Sequence, residues 1–276
     1  MSKPRFLATP RRAFSVALAL VASGAQAAPL LQLDPLLAGV HSAGQGVDAR
    51  FLKVDDNWHA SGVLWNEATQ QYGLGAPIGG FAWGTGVWGI TDWQTANGAL
   101  PPSGMLTGQW TGRVGSIQFG DALYNTQHAS TWGAVGLAPL FASGGSQDNW
   151  TSFFSGYIRI SEPGVYNFSV LHDDGFFFTL GGLAQTLALD NDFLNPRERV
   201  GFATDLLLGL GLYSFTLGAY DRLEAGVVEL AWAREGSNEW TPVPTENLVA
   251  QPVPIPGSGW LVAGGLLALA AIRRRN

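Results

Sequence analysis

The sequence predicts an all-β fold, an antiparallel β-sandwich or barrel, with an N-terminal signal helix before it and a short C-terminal transmembrane helix after it. Three observations carry the prediction. No segment between residues 29 and 250 sustains an apolar period of 3.6 residues; several short runs alternate with period two; and Gly, Pro, Asn and Asp separate those runs. The chain has 276 residues, 37 of them glycine and 11 tryptophan, with 13% charged side chains. That is length for one large or two small packed domains and too little charge for disorder. Regular strand spacing favours a sandwich or barrel over other β architectures.

In chain order, residues 1–27 form a basic stretch ending at Arg11-Arg12, an apolar run from Ala13 to Ala22, and Ala25-Gln26-Ala27. This is an export signal cut by signal peptidase before Ala28. The run is too short to span a hydrocarbon layer about 30 Å thick. Residues 28–105 make a Gly/Trp-rich β region, either separate from the later strands or contributing the early strands of the same barrel. Within it, Gly84-Thr85-Gly86-Val87-Trp88-Gly89 has the spacing of a dinucleotide fingerprint. That motif has meaning only between a strand and a helix, and Ile90-Thr91-Asp92-Trp93 does not read as an amphipathic helix. The tryptophans from Trp83 to Trp93 suit a packing cluster, with a flat aromatic glycan platform as the alternative.

Residues 106–250 form the main β domain. In Phe154–Ile160, positions 154, 158 and 160 share one face, so this is a half-buried strand. Ser161-Glu162-Pro163-Gly164 supplies a turn, so Val165–Leu171 folds back as its hairpin partner with Tyr166, Phe168 and Val170 inward. Further strands are expected at Phe176–Leu180, Leu212–Tyr220 and Gly226–Trp232, with Trp232 in the core. Asp190–Asn195 reads as a solvated loop, because it lacks the glycine and distant glutamate of a calcium-binding EF-hand.

Fifteen basic and 21 acidic residues leave the chain at −6. Seven of the fifteen lie in the terminal segments, so residues 28–272 carry 8 basic and 21 acidic side chains, a net −13. Such a body repels phosphate backbones, and nucleic acid is excluded as a partner. There is no cysteine, which removes disulfide scaffolds, thiolate metal sites and cysteine nucleophiles. His41, His59, His128 and His172 show no paired zinc spacing. No Gly-x-Ser-x-Gly elbow is present.

The tail, residues 251–276, has a proline motif at Val253-Pro254-Ile255-Pro256, an apolar helix over 257–272 that reaches into the membrane, and Arg273-Arg274-Arg275. The arginines stay on the cytoplasmic side, which halts export with the body outside. This tripartite pattern resembles the PEP-CTERM sorting tails, in the variant that reads Val-Pro-x-Pro. The resemblance implies an exosortase-type processing enzyme as partner. It places the body at the cell surface while anchored, or outside the cell after cleavage. The usual acidic residue between the prolines is replaced by Ile255, and a plain tail anchor is the alternative.

From Asn149 to Leu248 a second resemblance runs through Phe154-Ser155-Gly156-Tyr157-Ile158, Pro163–Phe168, His172-Asp173-Asp174-Gly175, Leu208–Tyr213, Tyr220-Asp221, Leu230-Ala231-Trp232 and Val243–Leu248. This order is similar to the anthrax protective-antigen domain family. The resemblance implies a β-barrel or sandwich, and, for members of the lectin kind, sugar bound through calcium. Two aspartates joined by a cis peptide would hold the ion with a residue from a later loop, which points to Asp173, Asp174 and Asp221. Independently of the family, adjacent carboxylates on a tight loop place two negative charges where a cation offsets their repulsion, and calcium takes six to eight oxygen ligands. Gly175 would let the loop reverse into the next strand. An ordinary Asp-Asp-Gly turn with solvated acids is the competing reading. The functional expectation is an exported, non-enzymatic surface or matrix protein with a calcium-assisted carbohydrate-binding site for exopolysaccharide or another glycan. A coat protein without ligand is the second reading, and a polysaccharide hydrolase the third.

Overall fold

Strand formation follows the alternation wherever one face of a segment meets the core. The computed structural model describes residues 30–39, 44–56, 58, 64–66, 71–73, 86–120, 148–222, 226–235, 237 and 239–251. The signal segment, Trp83 and the tail with Val253, Pro254, Pro256 and Arg273–Arg275 lie outside the described residues. The first strands are β1 (Leu31–Leu33), β2 (Leu37–Ala38), β3 (Val47–Val54), β4 (Leu64–Asn66) and β5 (Gln71–Gly73), followed by helix α1 (Ile90–Asn97). Next come β6 (Leu106–Val114), β7 (Gln118–Gly120), β8 (Trp150–Ile160), β9 (Gly164–Asp173), β10 (Gly175–Gly181) and β11 (Thr186–Asn191). The last are β12 (Glu198–Gly201), β13 (Leu206–Leu208), β14 (Gly211–Asp221), β15 (Val227–Arg234), β16 (Thr241–Pro242) and β17 (Leu248–Val249).

Among the described residues the strands form two large sheets and one two-stranded sheet, with every named strand pair antiparallel except β1 with β13. The larger is ordered β11-β10-β14-β8-β3-β6, with β17 on β8 and β2 on β14. The other is ordered β1-β13-β9-β15-β16, with β12 on β9 and β7 on β15. β4 and β5 pair only with each other among the described strands. Phe154, Phe178 and Phe215 from the larger sheet meet Phe168, Val170 and Leu230 from the smaller in one buried cluster. Burial of each such phenylalanine contributes roughly 2–3 kcal/mol. Trp232 is partly buried and packs against Tyr166 and Phe168. β3 lies between β6 and β8, so residues 47–54 share a sheet with the strands after 106.

Two expectations are corrected here. β8 and β9 are not hairpin partners: β8 pairs with β14, β3 and β17, and β9 with β15, β12 and β13. The turn at Ser161–Gly164 carries the chain from one sheet to the other. Period-two alternation reports which face is buried and is the same whether the next strand lies beside or opposite. A helix does follow the glycine-rich segment. α1 buries Asp92, Trp93 and Ala96 on one side, and with eight residues and an acid on that side it leaves too little apolar periodicity to read. Its Trp93 fits against Phe153 and Phe177 on the outer face of the larger sheet, with ring centroids 5.5 and 4.6 Å away. Among the described residues no helix is long and apolar enough to cross a membrane.

Candidate metal centre

Two further passages of the chain between the sheets fall at the same end of the sandwich. β9 of the smaller sheet gives way to β10 of the larger at Asp173-Asp174-Gly175, and β14 of the larger ends at Asp221 before β15 of the smaller begins at Val227. The ladders lock these passages together. Gly175 is opposite Tyr220 and Asp173 opposite Val227, the Asp174 N–H donates to Tyr220 O at 3.0 Å, and the Arg222 N–H donates to Asp174 Oδ2 at 2.7 Å. The two passages are thereby adjacent, and Asp173, Asp174 and Asp221 each present a carboxylate oxygen within 4.8 Å of the others. The Asp173–Asp174 peptide is cis. Asp221 is fully buried, Asp174 is 7% exposed, and the Asp173 side chain remains 14% exposed. The cluster is thus sunk in the protein and opens at Asp173.

Gly175 serves space rather than a left-handed turn. A Cβ there would sit 2.2 Å from Tyr220 Oη and 2.9 Å from Asn191 O, so only glycine lets β14 and β11 close around the loop. Burial first, and then Asp192, pushes the Tyr220 hydroxyl far above its ordinary pKa. It stays protonated, and its single O–H is shared between Asp192 Oδ1 and Phe193 O, both at 3.0 Å.

His172 braces the loop from behind. Its ring is fully buried, with Nδ1 3.0 Å from Asp174 O and Nε2 3.5 Å from Asn191 Nδ2. A carbonyl only accepts, so Nδ1 carries the proton and Nε2 accepts, which is the neutral tautomer. Desolvation lowers its pKa and favours that form. With both nitrogens engaged, His172 orients the loop and leaves coordination to oxygen.

Two arginines flank the acids. Arg197 Nε is 4.0 Å from Asp173 Oδ2. Arg222, 8% exposed, has its pKa lowered by burial against the opposing fields of Asp56, Asp148, Asp221 and Asp174. Its side chain passes Gly86, where a Cβ would be 2.5 Å from Nε. Sequence reasoning missed Arg222 although it adjoins Asp221, because only the fold shows that a basic side chain this close is also buried.

The loop expected to be solvated is corrected as well. Asp190 and Asn191 belong to β11, and Asp192 Oδ1 accepts from Ile90 N at 2.7 Å, Phe193 N at 2.8 Å and Tyr220 Oη at 3.0 Å. Asp192 therefore satisfies a free N–H at the start of α1 from a distant loop. Asp92, 5% exposed, accepts from Trp88 N at 2.9 Å, and its pKa is raised to about 6, chiefly by burial.

Fold and site together define a two-sheet β domain with a three-carboxylate cluster at a double crossing between sheets. No protein-family model and no curated protein matches the sequence. Among solved structures the chain is similar to the PA14 domain of the MpAFP antifreeze protein (13% identity, TM-score 0.48, 77% of this chain and 94% of that one). It is also similar to the PA14 sugar-binding domain of an RTX adhesin (15%, 0.44, 75% and 99%). A third is a subtype-switched Epithelial Adhesin 9 A domain from Candida glabrata in complex with β-lactose (10%, 0.48, 82% and 97%).

Proposed function

We propose that this is an exported, non-catalytic surface or matrix protein that holds calcium at Asp173, Asp174 and Asp221 and uses the ion to bind a glycan. The observation that carries the reading is the convergence of three carboxylates, from two separate chain passages, within 4.8 Å. The donor set is all oxygen, the composition of a calcium rather than a zinc site. Three carboxylates leave part of a six- to eight-fold shell open, and the exposure of Asp173 puts the open part toward solvent, where adjacent sugar hydroxyls complete it. In this reading the chain is delivered by signal peptidase and an exosortase-type enzyme, the latter acting at Val253, Pro254 and Pro256 with Arg273, Arg274 and Arg275 holding the cytoplasmic side. Exopolysaccharide is the glycan proposed for that location. The test is calorimetric titration of stripped protein with calcium, followed by a glycan array with and without chelator. Calcium binding with chelator-sensitive glycan signals supports the reading, and a silent calorimeter rejects it. One observation favours a second reading: Arg197 and Arg222 supply positive charge beside the acids. A cluster neutralised from within is an architectural ion-pair network, and the protein is then a coat component without ligand.

A further inference from the structure

We infer that a groove on the outer face of the larger sheet is a second carbohydrate site, selective for sugars bearing a carboxylate. The groove is lined by Asp48, Arg50, Asn97, Thr111, Phe153 and Ser155, with a volume near 630 Å³. Arg50 organises it. Its Nε and Nη2 make three bonds to Asn97, at 3.2, 2.6 and 2.8 Å. Asn97 is itself held by bonds from Nδ2 to Thr151 Oγ1 at 2.9 Å and to Trp93 O at 3.0 Å. The cation thus rests at the C-terminal end of α1, where the helix dipole favours it.

A guanidinium has five N–H donors. Those three bonds use the Nε hydrogen and both on Nη2, leaving the pair on Nη1, and no carboxylate pairs with Arg50 among the described residues. Asp48, the acid of the groove, already has Arg113 at 3.5 Å. On a body carrying −13 between residues 28 and 272, this groove therefore presents a fixed, unmatched cation. The N–H groups left on Nη1 can each give a carboxylate oxygen a charge-assisted hydrogen bond. Phe153, steadied by Trp93 at 5.5 Å, offers an apolar wall to a sugar ring, and Ser155 and Thr111 offer hydroxyls. A neutral ligand would leave Arg50 unmatched, which is why the ligand class is a uronate-bearing glycan. Arg50 is two strands across and three residues along from Asp221, roughly 14 Å by strand spacing, so the groove is separate from the metal centre. The inference shares only the general class of ligand with the proposed function.

The experiment titrates calcium-stripped protein with a glucuronate oligosaccharide and with its neutral glucose counterpart, at low and at high salt. One charge pair near 4 Å in water corresponds to about fivefold in affinity. The uronate is expected to bind about fivefold more tightly than the neutral sugar, with the difference lost in high salt. Thr111 is exposed and faces Arg50 across the β3–β6 ladder, so Thr111→Glu should abolish the preference for the uronate, while Thr111→Gln, which loses the hydroxyl for both sugars alike, should change the two affinities equally and keep the preference, both at unchanged melting temperature. Equal affinity for the two sugars, or equal behaviour of the two variants, overturns the inference. Should calcium-dependent neutral glycan binding fail while uronate selectivity persists, the proposed function is rejected and this site stands; the converse rejects this site alone.

Discussion

Replacing Asp221 by Asn tests the proposed metal centre. Asp221 is fully buried and its carboxylate lies within 4.8 Å of those of Asp173 and Asp174. At an effective dielectric constant near 20, each such pair of like charges repels by about 3.5 kcal/mol, an interaction that a bound cation reverses and Arg222 partly offsets. Asn keeps the shape and removes the charge, so the metal-free stability shifts by the balance of relieved repulsion and lost attraction to Arg222. The measurement that escapes this balance is the difference in melting temperature with and without calcium. A ligand at one hundred times its Kd stabilises the folded state by about 2.7 kcal/mol. For a body of this size that is a rise of roughly 5–11 °C. Differential scanning calorimetry should show that rise for the unmodified protein and almost none for Asp221→Asn at the same calcium concentration. If calcium moves neither protein, or moves both equally, the three acids are not a metal site.

Two other outcomes follow from the same geometry. Gly175→Ala places a Cβ 2.2 Å from Tyr220 Oη and should cost about 1–3 kcal/mol in urea denaturation, with weakened calcium binding because the Asp174 loop is displaced. Asp92 has a folded pKa of about 6 against an ordinary value of 3.8, so the folded state binds its proton more tightly than the unfolded chain. Its contribution is therefore fully present below pH 3.8 and is lost as pH rises through about 6, a change of about 3 kcal/mol. Asp92→Asn preserves an acceptor for the Trp88 N–H, and should flatten this part of the stability profile and raise stability at pH 7.5, as read by denaturation at several pH values.

What the sequence disclosed, and what it withheld, divides along physical lines. Strands such as β8, β9 and β14 were legible because burial of one face imposes period two on the residues themselves. Asp173 and Asp174 stand out in the sequence because two adjacent acids before a glycine form a local pattern, whereas Asp221 is singled out only by the family resemblance, which puts a further ligand on a later loop. The partner of each strand was not legible, since a residue packs the same core whether its neighbour is beside it or across the sandwich, and so the turn at Ser161–Gly164 read as a hairpin. Helix α1 escaped because its stability comes from outside. Its first N–H is satisfied by Asp192, 102 residues away, and its apolar contacts with the sheet are concentrated in Trp93. The roles of Asp192, Arg222 and Arg50 depend on such distant partners, and alternation carries no trace of them.

The position of the acidic cluster has a consequence for its chemistry. Two of the three acids end strands in a ladder, Asp173 on β9 against β15 and Asp221 on β14 against β8, and Asp174 lies between β9 and β10. Their backbone positions are set by sheet pairing and by the Asp174–Tyr220 and Arg222–Asp174 bonds, so the repulsion among the carboxylates cannot be relieved by the backbone drifting apart without breaking ladder bonds. A site held in this way is preorganised, and calcium on binding need not also supply the entropy of ordering a loop. The same rigidity keeps the acids facing one another in the folded protein whether or not the proposed ion is bound. The calcium dependence of stability should then exceed any calcium dependence of shape, with the melting temperature moving while the far-ultraviolet circular dichroism stays the same.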